Sequence, residues 1–313
     1  MVNISNSNLE DLAQKHYSAI ENYFLNKNRG FTIIEIDNWI VNCFSSKWNL
    51  KKIILAKPKD LEKLIKIYKW KCCNNFQFFK TLYGYINQYG KRRYFLEENA
   101  QQIDYNAHLF IKNLGINICP YCNRNTIYNL NSSKERTSEL DHFYPKSKYP
   151  FLAISFYNLV PSCKVCNKIK LDKDDKEYIN PYDDRFNMNK NSKFTMIIKD
   201  ATFFYDVRGF SIGRKFISSI SSEERKRINN NIEDFKLYDL YQNHKDIVLE
   251  LIQKREIYPD SYIDELASQY AGMFKNREDI LRLITCGYVE DKDLHKRPLS
   301  KLIKDISEEL ELL

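Results

Sequence analysis

The sequence predicts an α+β protein that is mostly helical, with a short strand-and-turn segment set between two helical flanks. Two observations predict it. Only eight glycines occur in 313 residues, too few for a turn-rich sandwich or barrel, while Lys, Glu, Leu and Ile recur in long stretches that favour helix. Midway along the chain, helical spacing gives way to short apolar runs and two C-x2-C pairs.

From residue 8 to 113, Leu9, Leu12, His16, Ile20 and Tyr23, and later Leu61, Leu64, Ile65 and Tyr68, recur at three-to-four spacing. That period lines one face of a helix, and the stretch has room for roughly four to six helices. Residues 140–143 and 158–160 are short strand candidates, and 194–199 with 202–207 alternate as a hairpin would, ending at Arg208-Gly209. Helices resume at Ser221-Ser222-Glu223-Glu224, a good helix start, and continue over 262–274, 277–285 and, behind Pro298, 299–312. Three regions follow: a helical region over 1–115, a compact core over 116–190, and a small hairpin with helices over 191–313. No internal repeat or low-complexity linker separates them.

A hydrophobic content of 43% is enough for a substantial core. The polar start of the chain and the lack of any apolar run of about 18 residues predict a soluble, cytoplasmic protein. Its eight cysteines are then expected to stay reduced, and spaced pairs read as metal ligands. The net charge of +8 permits a nucleic-acid partner without requiring one.

Cys119-Pro120-Tyr121-Cys122 and Cys163-Lys164-Val165-Cys166 stand forty residues apart. Two residues between cysteines let both thiolates reach one tetrahedral ion, so the two pairs together predict a closed structural zinc site. The long insertion between them must project as a hairpin. Cys43, Cys72, Cys73 and Cys286 lack such pairing and are expected to be core thiols. His16, His108 and His244 have no partner cluster and are assigned to packing or surface.

Inside the cysteine frame run Glu139-Leu140-Asp141-His142-Phe143-Tyr144-Pro145-Lys146-Ser147, then Tyr157-Asn158-Leu159-Val160-Pro161-Ser162, then Cys166-Asn167-Lys168-Ile169-Lys170. Over residues 119–170 this pattern resembles the HNH, or ββα-metal, endonucleases, and specifically the branch braced by two CxxC pairs. The resemblance implies a ββα core in which Asp141 and Asn167 hold one hard divalent ion, Mg²⁺ or Mn²⁺. It implies that His142 takes a proton from the attacking water and that Asn158 aims the imidazole. Lys146 and Lys170 are candidate phosphate contacts. Asn167 stands where many members carry a second histidine, which makes the ion site harder and less zinc-like.

The longer string Asp141 to Pro150, with Asn180-Pro181-Tyr182-Asp183-Asp184 beyond it, resembles the HNH subunits of bacterial anti-phage systems of the Septu kind. In those systems the nuclease works beside an ATPase subunit, so the resemblance implies such a partner as well as nucleic acid, DNA before RNA. The stripe Leu299, Leu302, Ile303, Ile306 and Leu310 is either a docking face for that partner or the protein's own core. Lys91-Arg92-Arg93 and Arg225-Lys226-Arg227 are either phosphate contacts or solvated helix faces. Two alternative functions stay open: a stand-alone restriction enzyme for modified DNA, and a catalytically inactive, zinc-braced nucleic-acid-binding module.

Overall fold

The computed structural model describes residues 1–4, 6–25, 32–71, 77–87, 94–98, 101–130, 136–174 and 176–313. Lys91, Arg92, Arg93, Cys72 and Cys73 lie outside the described residues. The architecture is mostly helical α+β, with three two-stranded antiparallel sheets among the described residues.

The N-terminal flank holds α1 (Leu9–Leu25), α2 (Ile33–Cys43), α3 (Leu50–Ile54), α4 (Pro58–Lys71), α5 (Gln77–Asn87) and α6 (Ala107–Leu114). Their boundaries have local causes. Thr32 and Glu35 cap each other's backbone N–H at the start of α2, Asn106 accepts from Leu109 N at the start of α6, and Gly115 ends α6 at φ 68°. Between α5 and α6 lies a hairpin absent from the sequence reading, β1 (Tyr94–Glu98) paired with β2 (Gln101–Tyr105). Its buried residues follow a period of two: Tyr94 and Leu96 turn inward, and Tyr94 stacks on Tyr23 with ring centroids 4.9 Å apart.

In the middle segment, β3 (Glu139–His142) pairs with β4 (Leu159–Ser162), and α7 (Lys164–Lys170) follows directly. The two strands coincide with the expected candidates to within two residues at each end. The C-terminal flank opens with α8 (Met188–Asn191), β5 (Ser192–Ile198) and β6 (Phe210–Phe216). The first strand of this hairpin was expected, but the second lies later than residues 202–207. Asp200 and Asp206 accept from the backbone N–H groups of Thr202 and Arg208, so this stretch folds into two short 3₁₀ turns before β6 begins.

Helices α9 (Ser222–Asp234), α10 (Leu237–Gln242), α11 (Lys245–Ile257), α12 (Asp260–Gln269), α13 (Arg277–Thr285) and α14 (Ser300–Glu309) complete the chain. Helix α14 packs on β5 with Leu299, Leu302, Ile303 and Ile306 buried, so the stripe serves the protein's own core and is not open for docking. Under it a completely buried ion pair joins Lys301 to Asp305 at 2.6 Å, and Asp305 also accepts from Phe194 N. Arg225 and Lys226 are exposed on α9, whereas Arg227 is buried against Glu62 and Glu223, which splits that basic run. Cys43 is buried as expected. Cys286 is not a core thiol: it ends α13 at φ 59° with its side chain exposed.

One hydrophobic cluster runs from Met1 through the middle segment to Leu312. His16 helps to join its parts. Its ring is fully buried, 2.8 Å from both the Tyr105 hydroxyl and the Ile154 carbonyl. Burial lowers its pKa to about 4 against a usual 6.5, only partly opposed by the bond to Ile154. The unfolded chain therefore takes up a proton here below about pH 6.5 that the folded chain refuses, so stability falls as pH drops from 6.5 towards 4. The urea midpoint is expected to decrease between pH 7 and pH 5; an unchanged midpoint over that window would contradict this origin.

Candidate functional site

The site is built on two turns that each present a pair of cysteines. In the first, Cys119 N donates to Asn125 O at 2.9 Å and Asn123 N donates to Cys119 O at 2.7 Å, folding Cys119 and Cys122 onto one side of a tight loop. In the second, Cys163 is the N-cap of α7, where its sulfur accepts from Cys166 N. The four sulfurs lie within 4.8 Å of one another and all four residues are buried. Zinc bound to four thiolates at about 2.3 Å separates the sulfurs by about 3.8 Å, so this donor set fits that ion.

Polar hydrogens point at the sulfurs. Arg124 N and Asn125 Nδ2 donate to Cys122 and Cys163 at 3.4 and 3.3 Å. Such donors favour thiolate, and contacts with neighbouring thiols, Cys119 first, pull the Cys163 thiol well down. Burial pushes Cys119 the other way. Four crowded thiols cannot all ionise unaided, whereas a dication would stabilise all four as thiolates.

From this knot projects the β3–β4 hairpin. Asp141 and His142 are neighbours on a strand, so their side chains turn to opposite faces. Asp141 is buried, accepts from the Tyr121 hydroxyl at 2.6 Å, and pairs with Lys170 Nζ at 3.1 Å. Lys170 is itself buried and also donates to His142 O at 2.6 Å. Asn167 sits one turn before it on α7, half-buried beside Cys166.

His142 is 8% exposed, with Nε2 3.0 Å from Ala153 O. A carbonyl can only accept, so Nε2 carries the proton and Nδ1 keeps its lone pair. Burial first and Lys146 second lower the ring's pKa to about 3, against the opposing bond to Ala153, and the imidazole is neutral at physiological pH. Tyr83 of α5 meets the ring edge-on at 4.3 Å, and Lys146 Nζ stands 4.1 Å above the Tyr83 ring.

Asn158 braces the loop between the strands. Its Oδ1 accepts from Tyr144 N at 2.7 Å and its Nδ2 donates to the carbonyls of Tyr144 and Leu152. It thus fixes the chain on both sides of Ala153 and its bond to His142. Sequence reading missed Tyr83, Tyr121 and the pairing of Lys170. Only Tyr121 carried a signal, its place inside the first cysteine pair; Tyr83 comes from a helix more than fifty residues away.

Comparison with known proteins returns no matching family model and no matching solved structure. A partial similarity links the chain to the Septu protein PtuB of Bacillus thuringiensis, 39% identical over 67 residues. The shared segment is 21% of this chain and 24% of that protein, so it spans about a quarter of the relative's length. No described helix is long and apolar enough to cross a membrane.

Protein purified without added metal is expected to contain one zinc per chain by elemental analysis. Cys166→Ser is expected to lose the ion and to melt earlier, since closed zinc sites contribute directly to folding. A zinc-free protein with a full-strength thermal transition would contradict the assignment.

Proposed function

We propose that the chain is an HNH-type endonuclease that hydrolyses phosphodiester bonds, DNA before RNA, in anti-phage defence. The observation that carries this reading is the environment of His142. Its imidazole is fixed in one tautomer by the Ala153 carbonyl, which leaves Nδ1 as the proton acceptor. The similarity to PtuB supports the defence setting.

In this reading Asp141 and Asn167 would hold the divalent cation, an assignment their oxygen donors suit. That ion, when bound, would supply charge stabilisation at the phosphate. His142 Nδ1 takes the proton from the water that attacks phosphorus, and the Nε2 bond keeps the ring aimed as its charge rises. Asn158 acts by holding the loop that carries Ala153. Lys146 is exposed near the imidazole and would contact phosphate in this reading; Lys170 is turned inward and would have to leave Asp141 to do so. Tyr83 packs edge-on against the ring, so it must shift for a phosphate to approach.

The burial of His142 and the Asp141–Lys170 pair also suit the second reading, an inactive module in which the hairpin is only structural. One assay separates the two. Wild-type protein with Mg²⁺ or Mn²⁺ is expected to cut plasmid or oligonucleotide DNA, and His142→Gln to lose at least about 100-fold in rate with zinc content retained. Equal rates in both proteins would remove His142 from the chemistry, and no cutting by wild type under any metal would favour the inactive module.

The flanks are proposed to meet an ATPase partner through faces other than the α14 stripe. Co-expression with the product of a neighbouring ATPase gene is expected to give a single peak in size-exclusion chromatography. Separate elution with unchanged cutting would exclude that partner.

A further inference from the structure

The first cysteine pair contains a residue that neither the zinc cluster nor the histidine accounts for. Tyr121 is fully buried, stacks on Phe235 with ring centroids 4.6 Å apart, and donates its hydroxyl hydrogen to Asp141 Oδ2 at 2.6 Å. On the other side, Lys170 Nζ lies 3.2 Å from Oδ1 and 3.1 Å from Oδ2. The carboxylate is therefore held between a neutral donor and a single cation.

We propose that Tyr121 is the positioning residue of Asp141, and that Lys170 is its resident counter-ion, supplying the positive charge that a divalent cation would replace. The proposal rests on the reading of Asp141 as a cation ligand given above. The two neighbours act in opposite senses. A phenol hydroxyl fixes the carboxylate in one rotamer and adds no charge, so it favours a bound dication by preorganisation. An ammonium repels a dication at the same carboxylate, so Lys170 must be displaced as the metal arrives. Tyr121 is also held by its flanking cysteines, which makes the orientation of Asp141 depend on the knot.

Titration of the zinc-loaded full chain with Mn²⁺, read by electron paramagnetic resonance of the free ion, tests both roles without an activity measurement. Tyr121→Phe keeps the ring and its stack on Phe235 and removes only the hydroxyl. It is expected to weaken Mn²⁺ binding about ten-fold, the scale of one hydrogen bond to a charged group. Lys170→Met is expected to strengthen Mn²⁺ binding by a similar factor, and to gain more in melting temperature from Mn²⁺ than wild type does. A lysine that only supports the fold or touches phosphate would not raise metal affinity. Unchanged affinity in both variants overturns the proposal. If Tyr121→Phe loses zinc, the Lys170→Met arm decides alone. Wild type that binds no Mn²⁺ while Lys170→Met does supports the counter-ion role; wild type and both variants that bind none, with no cutting, defeat the reading of the site itself.

Discussion

Convergence of four sulfurs on a common centre is the constraint from which the rest of the structure follows. Cys119 and Cys122 lie some forty residues from Cys163 and Cys166, and holding both pairs together leaves the intervening chain free to project only as a hairpin. Both flanks also end on the first knuckle. Val2 N donates to Pro120 O, Tyr241 donates to Cys122 O, and Leu299 N and Lys301 N both bond to Asn123. A metal ion held by these four sulfurs would make the centre stiff, and a stiff centre transmits its geometry to everything anchored on it.

The N-terminal flank does a different job. The loop between β3 and β4 carries the carbonyl that fixes His142, and a loop of this length would not hold that carbonyl still by itself. It is pinned from outside: His16 bonds to Ile154 O, Ser155 donates to Ile53 O, and Phe44 packs its ring 4.9 Å from Phe151. The same packing that fixes the imidazole also buries it. Neutrality, orientation and restricted access are three results of one environment, and a reacting site at this position has to trade the last against the first two.

What the sequence revealed follows the reach of each interaction. The cysteine pairs, the two strands of the central hairpin and the start of α9 at Ser221 rest on neighbours a few residues apart, and all were readable. The hairpin of Tyr94 and Tyr105 was not, because its short strands sit inside a stretch dominated by helical spacing, and tertiary burial of Tyr94 against Tyr23 decided the matter. The second strand of the C-terminal hairpin was displaced because Asp200 and Asp206 bond their own backbone, a local competition that a pattern of apolar residues conceals. At the candidate site, the resemblance to the HNH pattern pointed to Asp141 and His142, but nothing in the sequence pointed to the Tyr121 hydroxyl, the Lys170 pair or the Tyr83 cover. Those are contacts between elements distant in the chain, and no periodicity encodes them.

The buried pair of Lys301 and Asp305 bears on how α14 finds its place. An apolar stripe of Leu302, Ile303 and Ile306 would pack on β5 almost as well after sliding by one turn, since oil-like surfaces discriminate poorly between registers. Two opposite charges wholly out of water do not allow that slack. Lys301 and Asp305 stand one turn apart on α14 and travel together, but Lys301 must also meet the Asn189 carbonyl and Asp305 the Phe194 N–H, and a shifted helix would leave the buried pair without those two outside bonds. The helix therefore seats like a key with a single notch, and the loop before it, which ties Leu299 and Lys301 to the first knuckle, comes to rest in one position.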